Sequence, residues 1–247
     1  MNSRILSIAA IDSSGGAGMN QDIRVAALFK RSIYCCPTGY TFQSKQGVEA
    51  IRPLSADVFR QMLIRGLHEY KPCYIKIGAL CAPAQIQILK ETLTHYRCKC
   101  ILIDPILKPS KGISFIRRYK RYLELFELAD FISPNWEELA KISELPIINI
   151  ETSLSAAKLL AQRYDIKILL TGGHAESDPI PESFVSKTII KTHYLPRKNW
   201  AYSHGTGCAL TMAFLCYLED GLPAEEAYRS ASHWVSEFYD QLNDSGG

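Results

Sequence analysis

No apolar run in this 247-residue chain is long enough to span a bilayer; the most apolar stretch, 208–218, is short and carries Thr211. An excess of one charge is also missing. With 28 basic and 25 acidic side chains the net charge is +3, too small for a nucleic-acid footprint. The one dense basic run, Arg117-Arg118-Tyr119-Lys120-Arg121, has helical spacing and reads as a solvated face. Cysteine pairs at zinc-binding spacing are lacking, since Cys35-Cys36 and Cys98-Lys99-Cys100 miss the two-residue gap and read as strand core. The eight cysteines are irregularly spaced and no signal peptide is read, so the expectation is free thiols in a reducing, cytoplasmic compartment. Repeats, low-complexity tracts and linkers are absent, which points to a single domain over 1–247.

What is present is 47% apolar residues, enough for a sizeable core, in short runs that alternate with amphipathic stretches. Strands are expected at 5–11, 34–42, 48–52, 73–78, 100–104, 130–133 and 166–170. Helices are expected at 21–31, from Ser55 to about 70, at 83–96, 113–128, from 135, at 153–164 and at 224–242. Strand and helix in alternation imply an α/β fold with a parallel sheet covered on both faces. The β-branched runs in 182–197 suggest a hairpin forming an antiparallel edge. Gly78 and Asp104 fall at strand carboxyl ends, where open α/β sheets bind ligands.

The most informative stretch is His204-Gly205-Thr206-Gly207-Cys208, followed by an unbroken run of helix formers. Its glycines allow a tight turn, and the amides of 205–208 become the unpaired first-turn donors of a helix, an anion site. A thiol in that field should ionise easily. Standing alone, the stretch reads equally as a Gly-bearing loop before a buried helix, with Cys208 a small core residue. Near the start, Asp12-Ser13-Ser14-Gly15-Gly16-Ala17-Gly18 turns a strand into a helix without dinucleotide-fingerprint spacing or the Gly-Lys-Ser/Thr of a P-loop. Asp12 there reads as a turn or N-cap residue, and Asn135 with Glu138 reads as a helix start.

The two glycine motifs form a specific pair. Between them, in order, lie Gln43 with Gly47-Val48, Lys76-Ile77-Gly78, Asp104-Pro105, Pro134-Asn135 with Glu138, and Gly172-Gly173-His174. On these residues the chain resembles the hydroxymethylpyrimidine/phosphomethylpyrimidine kinases of thiamine synthesis, a branch of the ribokinase-like superfamily. The resemblance implies a three-layer α/β/α sandwich, its central sheet mostly parallel with an antiparallel edge. It implies ATP across the carboxyl edge of the sheet, Mg2+ bridging its phosphates, an aminopyrimidine alcohol and its monophosphate as small-molecule substrates, and a homodimer. Cys208 would be the base, with Gly205, Thr206 and Gly207 holding the migrating group. Asp12, Gln43, Gly16 and Ala17 would meet the pyrimidine; Asn135, Thr171, Gly173, Gly205 and Gly207 the nucleotide; Glu138 and Asp104 the metal.

The chain departs from the family's usual pattern at Ala10-Ile11, at Ala79, at Ser110-Lys111-Gly112, and at Thr171, where lysine is expected. Lys76, Lys108 and Lys111 are the candidates to replace that lysine's charge. Three other readings stand beside this one: a pyridoxal-type kinase of the same superfamily, a catalytically weak pyrimidine sensor, and a zinc deaminase suggested by His174-Ala175-Glu176. The last lacks the downstream Pro-Cys-x-x-Cys and is set aside. His68, His95, His193 and His233 have no partner at diagnostic spacing and read as structural or surface residues.

Overall fold

Successive side chains along a strand point to opposite faces, and in the central strands both sets are apolar, so both faces must be covered. In the computed structural model, which describes residues 4–44, 47–107, 119–173 and 177–244, that is the arrangement found. The strands are β1 (Ile5–Asp12), β2 (Ile33–Ser44), β3 (Gly47–Pro53), β4 (Tyr74–Ile77), β5 (Cys100–Ile103), β6 (Phe131–Ile132), β7 (Lys167–Thr171), β8 (Ile180–Val185) and β9 (Ile190–Leu195). They form one sheet in the order β3-β2-β1-β4-β5-β6-β7-β8-β9. From β2 to β7 neighbouring strands are parallel. The pairs β7–β8 and β8–β9 are antiparallel, as expected from the β-branched runs, and β3 adds an antiparallel strand at the other edge too.

The helices are α1 (Gly18–Leu28), α2 (Ala56–Tyr70), α3 (Pro83–Leu93), α4 (Trp136–Ser143), α5 (Ile150–Tyr164), α6 (Thr206–Glu219) and α7 (Ala224–Asp244). On one face Leu6, Ile8, Ile75, Ile77, Ile101, Ile103 and Ile168 pack with buried side chains of α2, α3, α4 and α5. On the other, Ile5, Tyr74, Cys100, Leu102 and Leu169 pack against α1, α6 and α7. The centre of the second layer is α6, buried continuously over 208–216, as a helix apolar on every side requires. No helix among the described residues is long and apolar enough to cross a membrane.

The helices expected at 21–31 and 83–96 are Gly18–Leu28 and Pro83–Leu93, and two further expectations shift for reasons the structure shows. The helix expected at 113–128 is a 3-10 segment over its described part, Tyr119–Leu128, and the three-residue period lines up buried Tyr122 and Leu125. The helix expected from 153 begins at Ile150, because Asn149 caps it by accepting from the Thr152 amide at 2.9 Å. Lys108, Ser110-Lys111-Gly112, the Arg117-Arg118 start of the basic run and His174-Ala175-Glu176 lie outside the described residues.

Ser7 and Lys76 are paired in register on β1 and β4 and point into the second layer among apolar neighbours. Both meet Asp22 of α1. Ser7 Oγ donates to Asp22 Oδ2 at 2.6 Å, Lys76 Nζ is ion-paired to Asp22 Oδ1, and the same ammonium donates to the Cys208 carbonyl at 3.1 Å. Burial opposes the charge on Lys76, yet the adjacent Asp22 carboxylate outweighs it and leaves the ammonium firmer than in water. Lys76 is thus committed beneath the first turn of α6 and cannot supply the charge that lysine would have brought at position 171.

Removing one partner of this pair leaves a buried charge uncompensated. Lys76→Met should lower unfolding free energy by about 3–5 kcal/mol, while Lys76→Met with Asp22→Leu should recover much of the loss. Denaturant titration checks it; equal stability of the single variant and the parent would contradict it.

Candidate active site

The carboxyl ends of β1, β4, β5, β6 and β7 face the start of α6, and two adjoining cavities meet there. The first, about 210 Å³, is lined among others by Asp12, Ala17, Gln43, Ala79, Asp104, Glu138, His204 and Cys208. The second, about 540 Å³, runs past Gly173 toward Arg197, Lys198 and Trp200. Asn135, Thr171, Ser203, Thr206 and Gly207 line both, so the amino end of α6 stands at the seam.

The two glycine motifs, far apart in sequence, are in direct contact here. Gly205 adopts φ +84°, and a Cβ on it would collide with the carbonyl oxygen of Gly16. Gly16 in turn lies under the Tyr202 hydroxyl and the His204 ring. Gly16, expected to meet the substrate, is buried beneath them and is not among the residues that line either cavity. Asp12 fastens the two loops. Its carboxylate accepts from the Ser14 amide at 2.8 Å, the Ala17 amide at 2.8 Å, the Ser14 hydroxyl, and His204 Nε2 at 2.8 Å. Burial alone would raise its pKa, but the hydrogen bonds from His204 and Ser14 prevail and bring it to about 2. With both oxygens engaged, Asp12 is first a turn and clasp residue. Gln43 keeps its place in the lining; its Nε2 donates to Thr41 Oγ1 at 2.9 Å.

Cys208 sits in the first turn of α6, and burial pushes its thiol up to about 12, against the opposing charge of Lys76. The easily formed thiolate expected from the helix field is not found, because burial outweighs Lys76 and the Gly18 amide, which favour the charged form. That amide acts to lower the Cys208 value, as Thr211 and Cys208 act to lower that of Asp104. Asp104 is buried, and its Oδ2 has no hydrogen-bond partner among the described residues. Desolvation raises its pKa to about 6. Glu138 closes a capping box with Asn135, taking the Asn135 amide at 3.0 Å while Asn135 Oδ1 takes the Glu138 amide at 2.9 Å. Desolvation, with Asp104 adding, raises Glu138 to about 8. Two buried carboxylates that repel each other, one with an orphaned oxygen, form a place for a hard cation.

The structure therefore brings together Cys208, Gly205, Thr206, Gly207, Asp12, Gln43, Ala17, Asn135, Thr171, Glu138 and Asp104, with Gly173 in the second cavity alone. Sequence reasoning missed His204, Ser203, Arg197 and Lys198. His204 immediately precedes Gly205, and that adjacency was the available signal; no spacing or periodicity marked Arg197 and Lys198.

Comparison with known proteins adds a separate line. The family model described as phosphomethylpyrimidine kinase matches residues 12–245. The thiamine biosynthesis bifunctional protein of Geobacter sulfurreducens is 26% identical over 235 residues, covering 94% of this chain and 48% of the relative. The hydroxymethylpyrimidine/phosphomethylpyrimidine kinase of Bacillus subtilis is 25% identical over 239 residues, covering 95% of this chain and 88% of the relative. The chain spans about half the length of the bifunctional relatives. Among solved structures, phosphomethylpyrimidine kinase from Clostridium difficile aligns at a TM-score of 0.82 with 25% identity, covering 94% of this chain and 97% of the other. Pyridoxal kinase from Staphylococcus aureus, in complex with ADP, aligns at 0.86 with 24% identity over 96% and 87%. The pyridoxal kinase likeness shows the fold alone.

The contact between the loops makes two glycines in one motif behave differently. Gly205→Ala meets both the Gly16 carbonyl and a left-handed φ, costing about 1–2 kcal/mol for the backbone alone. Gly207→Ala finds open space around its Cβ. Thermal unfolding should show a clear loss for the first and none for the second; the same loss in both would remove the packing account.

Proposed function

The chain belongs to the phosphomethylpyrimidine kinase family, and we propose that it transfers the γ-phosphoryl group of ATP to 4-amino-5-hydroxymethyl-2-methylpyrimidine and then to the resulting monophosphate. The observation that carries this reading is the pair of cavities joined at the amino end of α6. A donor in one and an acceptor in the other would have their reacting oxygens at the same cradle of amides. Phosphoryl transfer asks chiefly for positioning and for stabilisation of charge on the moving group, and first-turn amides do both. The larger cavity, with Trp200, Arg197 and Lys198, takes the nucleotide; the smaller, with Gln43, takes the pyrimidine, whose exocyclic amine can donate to the Gln43 carbonyl oxygen. Asn135 and Thr171 stand between them, and Thr171 brings a hydroxyl, not a charge, to the seam.

Asp104 and Glu138 are the residues that would hold Mg2+, mostly through water and phosphate oxygens, and the bound ion would neutralise donor phosphate charge. Cys208 is the group we assign to the acceptor hydroxyl's proton. That role requires loading of the site to draw its pKa down from about 12. The whole of 1–247 would act as one kinase domain in the cytoplasm, as a homodimer, with no nucleic-acid or membrane partner.

Two experiments test the reading. Coupled ATP turnover with the pyrimidine alcohol, its monophosphate and pyridoxal should favour the two pyrimidines; preference for pyridoxal would reassign the substrate, and binding without turnover would leave a sensor. Cys208→Ala should keep the fold and lose on the order of a hundredfold or more in turnover, the usual weight of a general base. Near-normal turnover would remove Cys208 from the chemistry.

The carboxylate pair supplies a test without turnover. Asp104 and Glu138 hold extra protons in the folded state, so the stability they contribute is full below about pH 4 and falls as pH rises through their folded values of about 6 and about 8. Magnesium should flatten that fall, raising the melting temperature above pH 8 in the parent but not in Asp104→Asn. An ion effect of equal size in both proteins would place the cation elsewhere.

A further inference from the structure

We propose that His204, held on Asp12, binds the phosphate of a phosphorylated acceptor, a small heteroaromatic phosphate monoester, in the first cavity; the inference rests on the kinase reading above. The cavity's charge is the starting point. Its lining holds three carboxylates, Asp12, Asp104 and Glu138, and among the described residues neither lysine nor arginine. Among the described residues, His204 is the one lining side chain able to carry positive charge. Lys76, the nearest buried cation by sequence motif, is locked to Asp22 and the Cys208 carbonyl. Arg197 and Lys198 line the other cavity.

An acceptor that already bears a phosphate must place it close to the phosphoryl group it is to receive. Two anions a few ångströms apart repel by several kcal/mol at an effective dielectric near about 20. The amides of 205–208 serve the group in flight, so the resident phosphate needs a donor of its own beside them. His204 directly precedes that cradle. Its position is fixed on three sides: Nε2 lies 2.8 Å from Asp12 Oδ2, its carbonyl accepts from the Tyr239 hydroxyl at 2.7 Å, and Gly16 packs against its ring. Asp12, buried and held ionised by its hydrogen bonds, can only accept, so Nε2 carries the hydrogen and Nδ1 is the ring nitrogen that Asp12 does not engage. An arriving phosphate accepts from an Nδ1–H of the ring, while Asp12 takes the Nε2–H behind. The same device gives discrimination, because the unphosphorylated alcohol offers the ring only a neutral hydrogen bond, where the phosphate offers a charge-assisted one.

Calorimetric titration with the pyrimidine alcohol and with its monophosphate separates the possibilities. His204→Gln should weaken the monophosphate by roughly tenfold or more and the alcohol by less than about threefold, with ATP binding unchanged. His204→Lys, which returns a cation, should restore monophosphate binding, a recovery that a purely structural histidine would not show. Equal losses for both pyrimidines, or none for either, or failure of the lysine variant to recover, would overturn the inference while leaving the kinase reading intact. Absence of binding of either pyrimidine to the parent protein would instead remove that reading, and this inference with it.

Discussion

The close approach of Gly205 to the carbonyl of Gly16 is the contact on which the rest of the site depends. Any Cβ at either position would separate the two loops, and with them would go the register between the end of β1 and the start of α6. Asp12 then converts proximity into a fixed angle, since one carboxylate holds two amides of its own turn and the His204 ring of the other loop. This clasp fixes where α6 begins, and Thr206 and Gly207 of its first turn line both cavities.

Beneath that clasp the polar groups fall into two kinds. Ser7, Asp22 and Lys76 are completely buried and satisfy one another, so they fix where α6 begins on the sheet. Asp104 and Glu138 are buried without an ion-pair partner among the described residues; burial raises both pKa values, and Asp104 Oδ2 has no hydrogen-bond partner there. Saturated polar groups specify structure, whereas unsatisfied ones mark where a ligand completes it. By that division the supporting layer is α1, β4 and α6, and the reactive surface is the ring of residues above it.

The layers and the strand order's parallel core were legible because both periodicities are strong: apolar runs of strand length, then helices with buried stripes. The antiparallel β3 edge was not legible as such, since 48–52 carries mixed residues and its pairing direction is decided by β2 across the turn. In the site, the residues set by motif were found where the cavities meet. What could not be read was saturation. Asp12 looks available in a sequence, and only three dimensions show its two oxygens already engaged; Gly16 looks like lining, and only packing shows it one layer behind. The Cys208 thiol reverses its expected direction for a similar reason, because burial is a property of the whole fold and the helix dipole a property of the local sequence. Among the described residues the lining of the first cavity holds neither lysine nor arginine, an absence that no local pattern displays.

The claim that donor and acceptor meet at one cradle is tested most directly with a bisubstrate compound in which the pyrimidine's hydroxymethyl oxygen is joined through a polyphosphate chain to adenosine. Titrated calorimetrically, it should bind with a single stoichiometric site, far more tightly than ATP or the pyrimidine alone, and should be displaced by either. Displacement by ATP only, with the pyrimidine still binding to the loaded protein, would show that the two cavities do not serve one reaction.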